Sequence, residues 1–410
     1  MSEQTVGKVP QIRFKGFEGT WKDKPIGEVL SEKKRPITLL DRQRYELITV
    51  KRRNEGIVSR GHLLGRDILV KNYAQLEAGD FVISKRQVVH GATGMIPVKL
   101  SGAIVSNEYL VAVNNSKLST EFLTILSSLP DMRQKFFLSS YGVDIEKLFF
   151  DAEDWKKRDV TIPSMAEQTQ IGKYFRELDN LISLHQRKHD KLVTLKKAML
   201  QKMFPQPGAT TPEIRFKGFE GDWVEKRLGE VATFLKGRGL PKSALVPNGA
   251  EPCIHYGELF TRYPEIIGEI ISRTNSSLDA FRSNANDVLM PTSDVTPRGL
   301  AKASCLTVGG VILGGDILVI RSEAKQIYGS FLSYFIRREE DQVLQFVRGS
   351  TVFHLYGSDM KNFIFSMPSV SEQTAIATYF RTLDALITQH ATQLQKLQQL
   401  KSACLEKMFV

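Results

Sequence analysis

Apolar residues recur every four and three positions in two long stretches of the chain. The first stretch carries Ile171, Phe175, Leu178, Ile182, His185, His189, Leu192, Lys196, Met199 and Met203. The second carries Ile376, Phe380, Leu383, Ile387, His390, Leu394, Leu397, Lys401, Cys404 and Met408. A stripe of that period along one helix face is the seam of a coiled coil. Ser164 stands three residues before Glu167, and Ser369 three before Glu372, the spacing of a capping box in which hydroxyl and carboxylate each satisfy an orphan backbone N–H. Each predicted helix covers about 39 residues and about 60 Å, which makes it a strut. His185 and His390 hold matching seam positions and have no further ligands at metal spacing, so they read as partly buried seam residues. His189 and Lys196 put more charge into the first stripe, which predicts looser pairing there.

Between the struts the chain repeats itself. PQIRFKGFEGTW at 10–21 returns as PEIRFKGFEGDW at 212–223, with ten of twelve positions identical. Ile26-Gly27-Glu28-Val29 returns as Leu228-Gly229-Glu230-Val231, and IPSMAEQTQIGKYFRELDNLI at 162–182 as MPSVSEQTAIATYFRTLDALI at 367–387. Shorter apolar runs also align: 47–50 with 253–256, 80–83 with 287–290, and 102–113 with 310–321. Bounded by Gly and Asp and rich in Val, Ile and Leu, these read as strands. Elsewhere the halves share almost nothing, so one frame carries two sets of loops. The first helix runs through LQKMF into a second opening phrase, and the last residues are LEKMFV. That order predicts a circular arrangement of domain, helix, domain, helix, with antiparallel helices and a pseudo-twofold axis.

With 410 residues, 42% hydrophobic and 25% charged, the chain reads as a soluble protein of two or three domains. No run approaches eighteen apolar residues, and the first twenty lack an apolar export core. Cys253, Cys305 and Cys404 are scattered, which argues against a disulfide framework or a zinc site and suits a reducing cytoplasm. The net charge of +11 fits phosphate-rich partners, though a generally basic surface would give it too. Catalytic signatures are missing: no P-loop, no G-x-S-x-G elbow, no H-E-x-x-H helix and no [NDS]-P-P-[YF] clamp of amino-methyltransferases. Phe14, Phe17 and Trp21 beside Arg13 and Lys15 could form a base-stacking platform. Their faithful return in the second half favours packing or docking, because sequence readers should differ between halves.

RFKGFEG-x-W followed by [IL]-G-E-V, a variable region, and P-S-x-x-E-Q-T-x-I-x-x-Y-F-R-x-L-D-x-L-I leading a long helix, all in duplicate, resembles the specificity subunit of type I restriction–modification systems. The likeness covers essentially the whole chain. It implies an α+β fold of two similar target-recognition domains separated by two long antiparallel helices that form a coiled coil, in a pseudo-twofold circular arrangement. The expected parts are a first recognition domain at 1–162, a helix at 163–204, a linker at 205–211, a second recognition domain at 212–367 and a second helix at 368–410. The implied function is non-catalytic reading of a bipartite, asymmetric site on double-stranded DNA, with adenine methylated in each half by partners. Those partners are two modification (methyltransferase) subunits binding S-adenosylmethionine and two restriction subunits using ATP and Mg²⁺; no cofactor or metal is expected on this chain. A self-contained DNA-modifying enzyme with an unrecognised active site is the alternative.

Base reading needs donors and acceptors that match a groove edge, and the polar loops after the framework strands are the natural places. In the first half these are Lys51, Arg52 and Arg53, then Lys85, Arg86 and Gln87. In the second they are His255 and Tyr256, then Thr292, Ser293, Asp294 and Arg298, with Arg348, Ser350 and His354 beyond. Some would contact phosphate, which positions without specifying.

Overall fold

The computed structural model describes residues 8–69, 72–276 and 279–410; the first seven residues of the stretch read for an export signal lie outside it. Two compact units divide the chain, Met1–His185 with Gln393–Val410, and Gln186–Thr392. The division runs through both long helices, Met165–Lys202 and Val370–Lys407, each of 38 residues. Each unit therefore holds the start of one helix and the end of the other.

Every seam position read from the periodicity is buried or half-buried. The lysines among them are paired with an aspartate of the facing helix. Lys401 reaches Asp179 at 2.5 Å in the first unit, and Lys196 reaches Asp384 at 2.6 Å in the second. Tyr174 against Cys404 and Phe380 against Phe204 continue these pairings in the opposite chain direction. The helix segments inside each unit thus run antiparallel, with a lysine–aspartate pair at the same place in both.

The frame repeats residue for residue. Phe81–Ser84 pairs antiparallel with Tyr109–Val113, Phe81 opposite Ala112 and Ser84 opposite Tyr109. Val288–Pro291 pairs with Ile317–Ser322, Val288 opposite Ile320 and Pro291 opposite Ile317. Leu47 lies parallel to Ile104, as Cys253 does to Ile312. Lys22–Pro25 pairs with Asp159–Ile162, as Val224–Arg227 does with Ile364–Met367. The central strands are unbroken apolar runs because both faces are covered. Phe81 and Ile83 enter the core beneath the helices while Val82 enters a second core; Val288 and Met290 part from Leu289 in the same way. The phrase at 102–113 is two strands, Ile104–Ser106 and Tyr109–Val113, in different sheets, and 310–321 splits likewise at Gly314–Asp316.

The duplicated phrase is a clamp on the helix start. Ser164 and Ser369 hydroxyls accept the N–H of Glu167 and Glu372 at 3.4 and 3.3 Å, so the serine half of each box forms. The glutamates turn elsewhere. Arg13 Nε and Nη2 donate to the Glu167 carboxylate, both at 2.7 Å, and Arg215 grips Glu372 at 2.7 and 2.8 Å. The same guanidiniums donate to the carbonyls of Gly19 and Gly221, which folds each phrase around its arginine. The neighbouring Gln168 and Gln373, fully buried, each donate to two carbonyls and accept one N–H. Trp21 and Trp223 are core residues 3% exposed, and Phe14 and Phe216 meet Tyr174 and Tyr379 edge-on, so these rings pack against the protein.

Both helix ends close on an opening phrase. Ile214 N–H donates to the Lys202 carbonyl at 2.8 Å, and Ile12 N–H to the Lys407 carbonyl at 2.9 Å. Phe204 packs against Trp223, Phe331 and Phe380; Phe409 takes the matching place against Trp21, Phe122 and Phe175. The first unit thus joins residues 12–21 to 407–409 through contacts matching those that one stretch, 202–223, makes in the second.

Candidate nucleic-acid interface

In the first unit the strand Arg44–Val50 ends in a loop whose backbone turns left-handed at Arg53 (φ 59°) and Asn54 (φ 56°). That conformation is costly for side-chain-bearing residues and is held from outside. Asn54 donates its N–H to the Gly91 carbonyl and its amide to Thr93 Oγ1. The loop 51–56 is therefore locked to the loop 85–91 that follows the central strand. Arg52 lies between them, donating to Gln87 Oε1 at 2.8 Å and Glu146 Oε2 at 2.7 Å. Lys85 donates to the Asn107 carbonyl, and Arg86 to Glu108 at 2.8 Å while lying 5.0 Å from the Phe149 ring centre. Phe149 belongs to a short hairpin, Ser140–Tyr141 with Phe149–Phe150, and Phe150 N–H donates to the Lys85 carbonyl. Lys51 and Arg53 are exposed, with no ion-pair partner among the described residues.

The second unit builds the same three loops from other side chains. His255 Nδ1 accepts the Gly257 N–H at 3.2 Å, which leaves the neutral ring's proton on Nε2, and its ring lies 4.7 Å from that of Tyr256. After the central strand, Thr292 is held by Asp316, and Ser293 Oγ lies 3.0 Å from His354 Nδ1. The Asp294 carboxylate accepts the Val295 N–H and the Thr296 hydroxyl, so it organises its own turn. Ser293–Asp294, Phe353–His354 and Arg348–Gly349 form one three-stranded sheet, with Ser350 exposed in the turn. Arg348 donates to Asp359 at 2.6 Å; Arg298 stands 3.0 Å from Glu340. Thr292, Ser293 and His354 line a cavity of about 490 Å³. Asp294, Arg298 and Phe260 line another of about 570 Å³, and Tyr256 reaches it through an edge contact with Phe260.

The loops correspond between units. Leu355 N–H donates to the Thr292 carbonyl as Phe150 N–H does to Lys85. Beneath them lies a shared acid with an unshared partner. Asp80 accepts the Glu77 N–H and is gripped by Arg35; Asp287 accepts the Asn284 N–H and is gripped by Arg321. The hydrogen bonds from these arginines to their aspartates raise both guanidinium pKa values above the ordinary one. Sequence reasoning missed the hairpin at 140–150 and the carboxylates Glu108, Glu146, Glu340 and Asp359. The hairpin was discoverable, since the repeat offset carries 348–354 back onto it.

Among the described residues no group of three His, Cys, Asp or Glu side chains is placed to hold a metal ion, and no helix is long and apolar enough to cross a membrane. Burial pushes the Cys253 thiol up to about 11 and the Cys305 thiol up to about 12.

The family model for the type I restriction modification DNA specificity domain matches residues 18–194 and again 220–399. A type I restriction enzyme MjaX specificity subunit assigned in Methanocaldococcus jannaschii is 23% identical over an alignment 297 residues long that covers 68% of this chain and 65% of that protein. The crystal structure of a type I restriction–modification S subunit from M. genitalium superposes with a TM-score of 0.59 at 13% identity, covering 98% of this chain and 99% of that one. The HsdS subunit from Thermoanaerobacter tengcongensis gives a TM-score of 0.44 at 17% identity, covering 95% and 96%. Two matched copies account for most of the sequence, and the chain belongs to the type I restriction modification DNA specificity family.

Proposed function

We propose that this chain reads a bipartite, asymmetric DNA site, one half-site by the loops of each unit, for a type I restriction–modification assembly. One observation carries the reading: two frames paired in identical register present different side chains at the same three loops. An equal scaffold with unequal tips suits two unlike half-sites, since groove recognition depends on which donors and acceptors reach a base edge. In the first unit the DNA-contacting residues are Lys51, Arg52, Arg53, Lys85, Arg86 and Gln87. In the second they are His255, Tyr256, Thr292, Ser293, Asp294, Arg298, Arg348, Ser350 and His354. The recognition domains are 1–162 and 212–367, with 163–204 and 368–410 as struts. Adenine methylation belongs to modification subunits that bind S-adenosylmethionine, and cleavage to restriction subunits that use ATP and Mg²⁺. This chain holds DNA and holds them.

Exchanging residues 30–160 for those of a subunit with another specificity, then mapping methylated adenines across the host genome, tests the assignment. One half of the motif should change and the other persist. A change in both halves, or in neither, would sink it. The purified chain alone, given DNA, S-adenosylmethionine, ATP and Mg²⁺, should neither methylate nor cut.

A further inference from the structure

Four candidate arginines face a carboxylate brought in by a different segment. Arg52 pairs with Glu146 at 2.7 Å, Arg86 with Glu108 at 2.8 Å, Arg298 with Glu340 at 3.0 Å and Arg348 with Asp359 at 2.6 Å. The arginines are 51–77% exposed, so neither core packing nor desolvation requires a partner. Three of the pairs lie outside the aligned phrases, Glu108 alone falling inside one, opposite Asp316, and each unit has two. Lys51 and Arg53, on the same first-unit loop, have no ion-pair partner among the described residues.

We propose that Glu108, Glu146, Glu340 and Asp359 are specificity-determining residues that hold the reader arginines back from DNA phosphates and yield them to a guanine edge. This rests on the DNA-reading assignment above. Where both partners are exposed, as in Arg52–Glu146 and Arg86–Glu108, an ion pair holds by about fivefold or less and is easily exchanged; Glu340 and Asp359 are more buried, at 34% and 16%, but their arginines stay exposed. A phosphodiester, whose two free oxygens can also take the guanidinium bidentately, offers a comparable contact, but the displaced carboxylate then repels the phosphates around it, as it does not an uncharged base edge. Guanine O6 and N7 offer a bidentate acceptor pair, for which discrimination runs from about fivefold to more than a hundredfold. The carboxylate therefore costs non-specific binding more than it costs a matched site. Lys51 and Arg53 lack such a restraint and serve as phosphate contacts.

The test uses the full chain in complex with the modification subunits of its own system. Binding is measured across a salt series to a duplex carrying the mapped methylation motif and to the same duplex with the motif shuffled. Glu108→Gln, Glu146→Gln, Glu340→Gln and Asp359→Asn should each tighten binding to shuffled DNA by about three- to tenfold and steepen its log–log salt slope by about 0.9, one further phosphate neutralised. The motif-to-shuffled ratio should fall, and Glu146→Asp, which keeps the charge, should restore it. If the wild-type complex prefers its motif but all four amide variants leave shuffled-DNA affinity and slope unmoved, the inference is overturned and the reading stands. If the wild-type complex shows no preference for the motif, the reading itself falls.

Discussion

Arg13→Ala removes the cation from a pair that ties the opening phrase to the first long helix. Glu167 is 1% exposed, and its two oxygens each receive one guanidinium N–H at 2.7 Å. Truncating the arginine leaves that carboxylate buried without its counter-charge, an imbalance that costs about 3–5 kcal/mol in comparable sites. Arg13 itself keeps 14% of its side chain in water, so the lower figure, about 3 kcal/mol, applies. For a unit of this size that corresponds to roughly 6–12 °C in Tm. The three tryptophans supply the assay. Trp21 and Trp155 report on the first unit and Trp223 on the second, so urea titration followed by fluorescence in a Trp223→Phe background reads the first unit alone. The double variant Arg13→Met/Glu167→Leu should lose no more than about 1 kcal/mol, because it leaves no stranded charge. A loss below about 1 kcal/mol for Arg13→Ala, or a double variant at least as damaging as the single, would refute the reasoning.

The seam lysines should differ in weight despite equivalent positions. Lys196→Met should destabilise the second unit by about 1–3 kcal/mol, since it leaves Asp384 without a cation and Glu265 with Arg337 alone, at 27% and 17% exposure, whereas Lys401→Met, facing the half-exposed Asp179, should cost under about 1 kcal/mol. Burial opposes the Lys196 ammonium, but Glu265 and Asp384 outweigh it and raise its pKa. Its contribution is therefore complete at neutral pH and is lost only as pH rises above about 10, through the raised value, in denaturation curves taken across that range. Gly91→Ala puts a Cβ 2.8 Å from Asn54 Oδ1 at φ +74°; hydrogen exchange in loops 51–56 and 85–91 should quicken, with about 1–2 kcal/mol lost locally. Burial raises both the Cys253 and the Cys305 pKa and keeps the two thiols protonated at pH 8. Neither should react with iodoacetamide in the folded chain at a rate near that of a free thiol, as mass spectrometry would read.

Period and repetition were legible because they report contacts that the chain makes twice. The seam stripe marked its buried face even at Lys196 and Lys401, and the weak alignments at 47–50 and 80–83 fell on strands paired in matching register. What stayed hidden was where a side chain spends its charge. Ser164-x-x-Glu167 has the spacing of a box closed within one turn, yet the glutamate's partner is Arg13, 154 residues away. Periodicity contains no term for such a pair, although the duplication of both its members was in plain sight. The reader loops show the opposite case. Arg52, Arg86, Arg298 and Arg348, the proposed readers, lie on segments that differ between the halves, and of their carboxylate partners only Glu108 falls in an aligned phrase, opposite Asp316. A frame must satisfy the same constraints twice and so writes them twice, while a reader must differ between halves. Its chemistry is therefore confined to the part of the sequence where internal comparison is silent, and it becomes visible only when folding brings residues such as Arg52 and Glu146 to 2.7 Å.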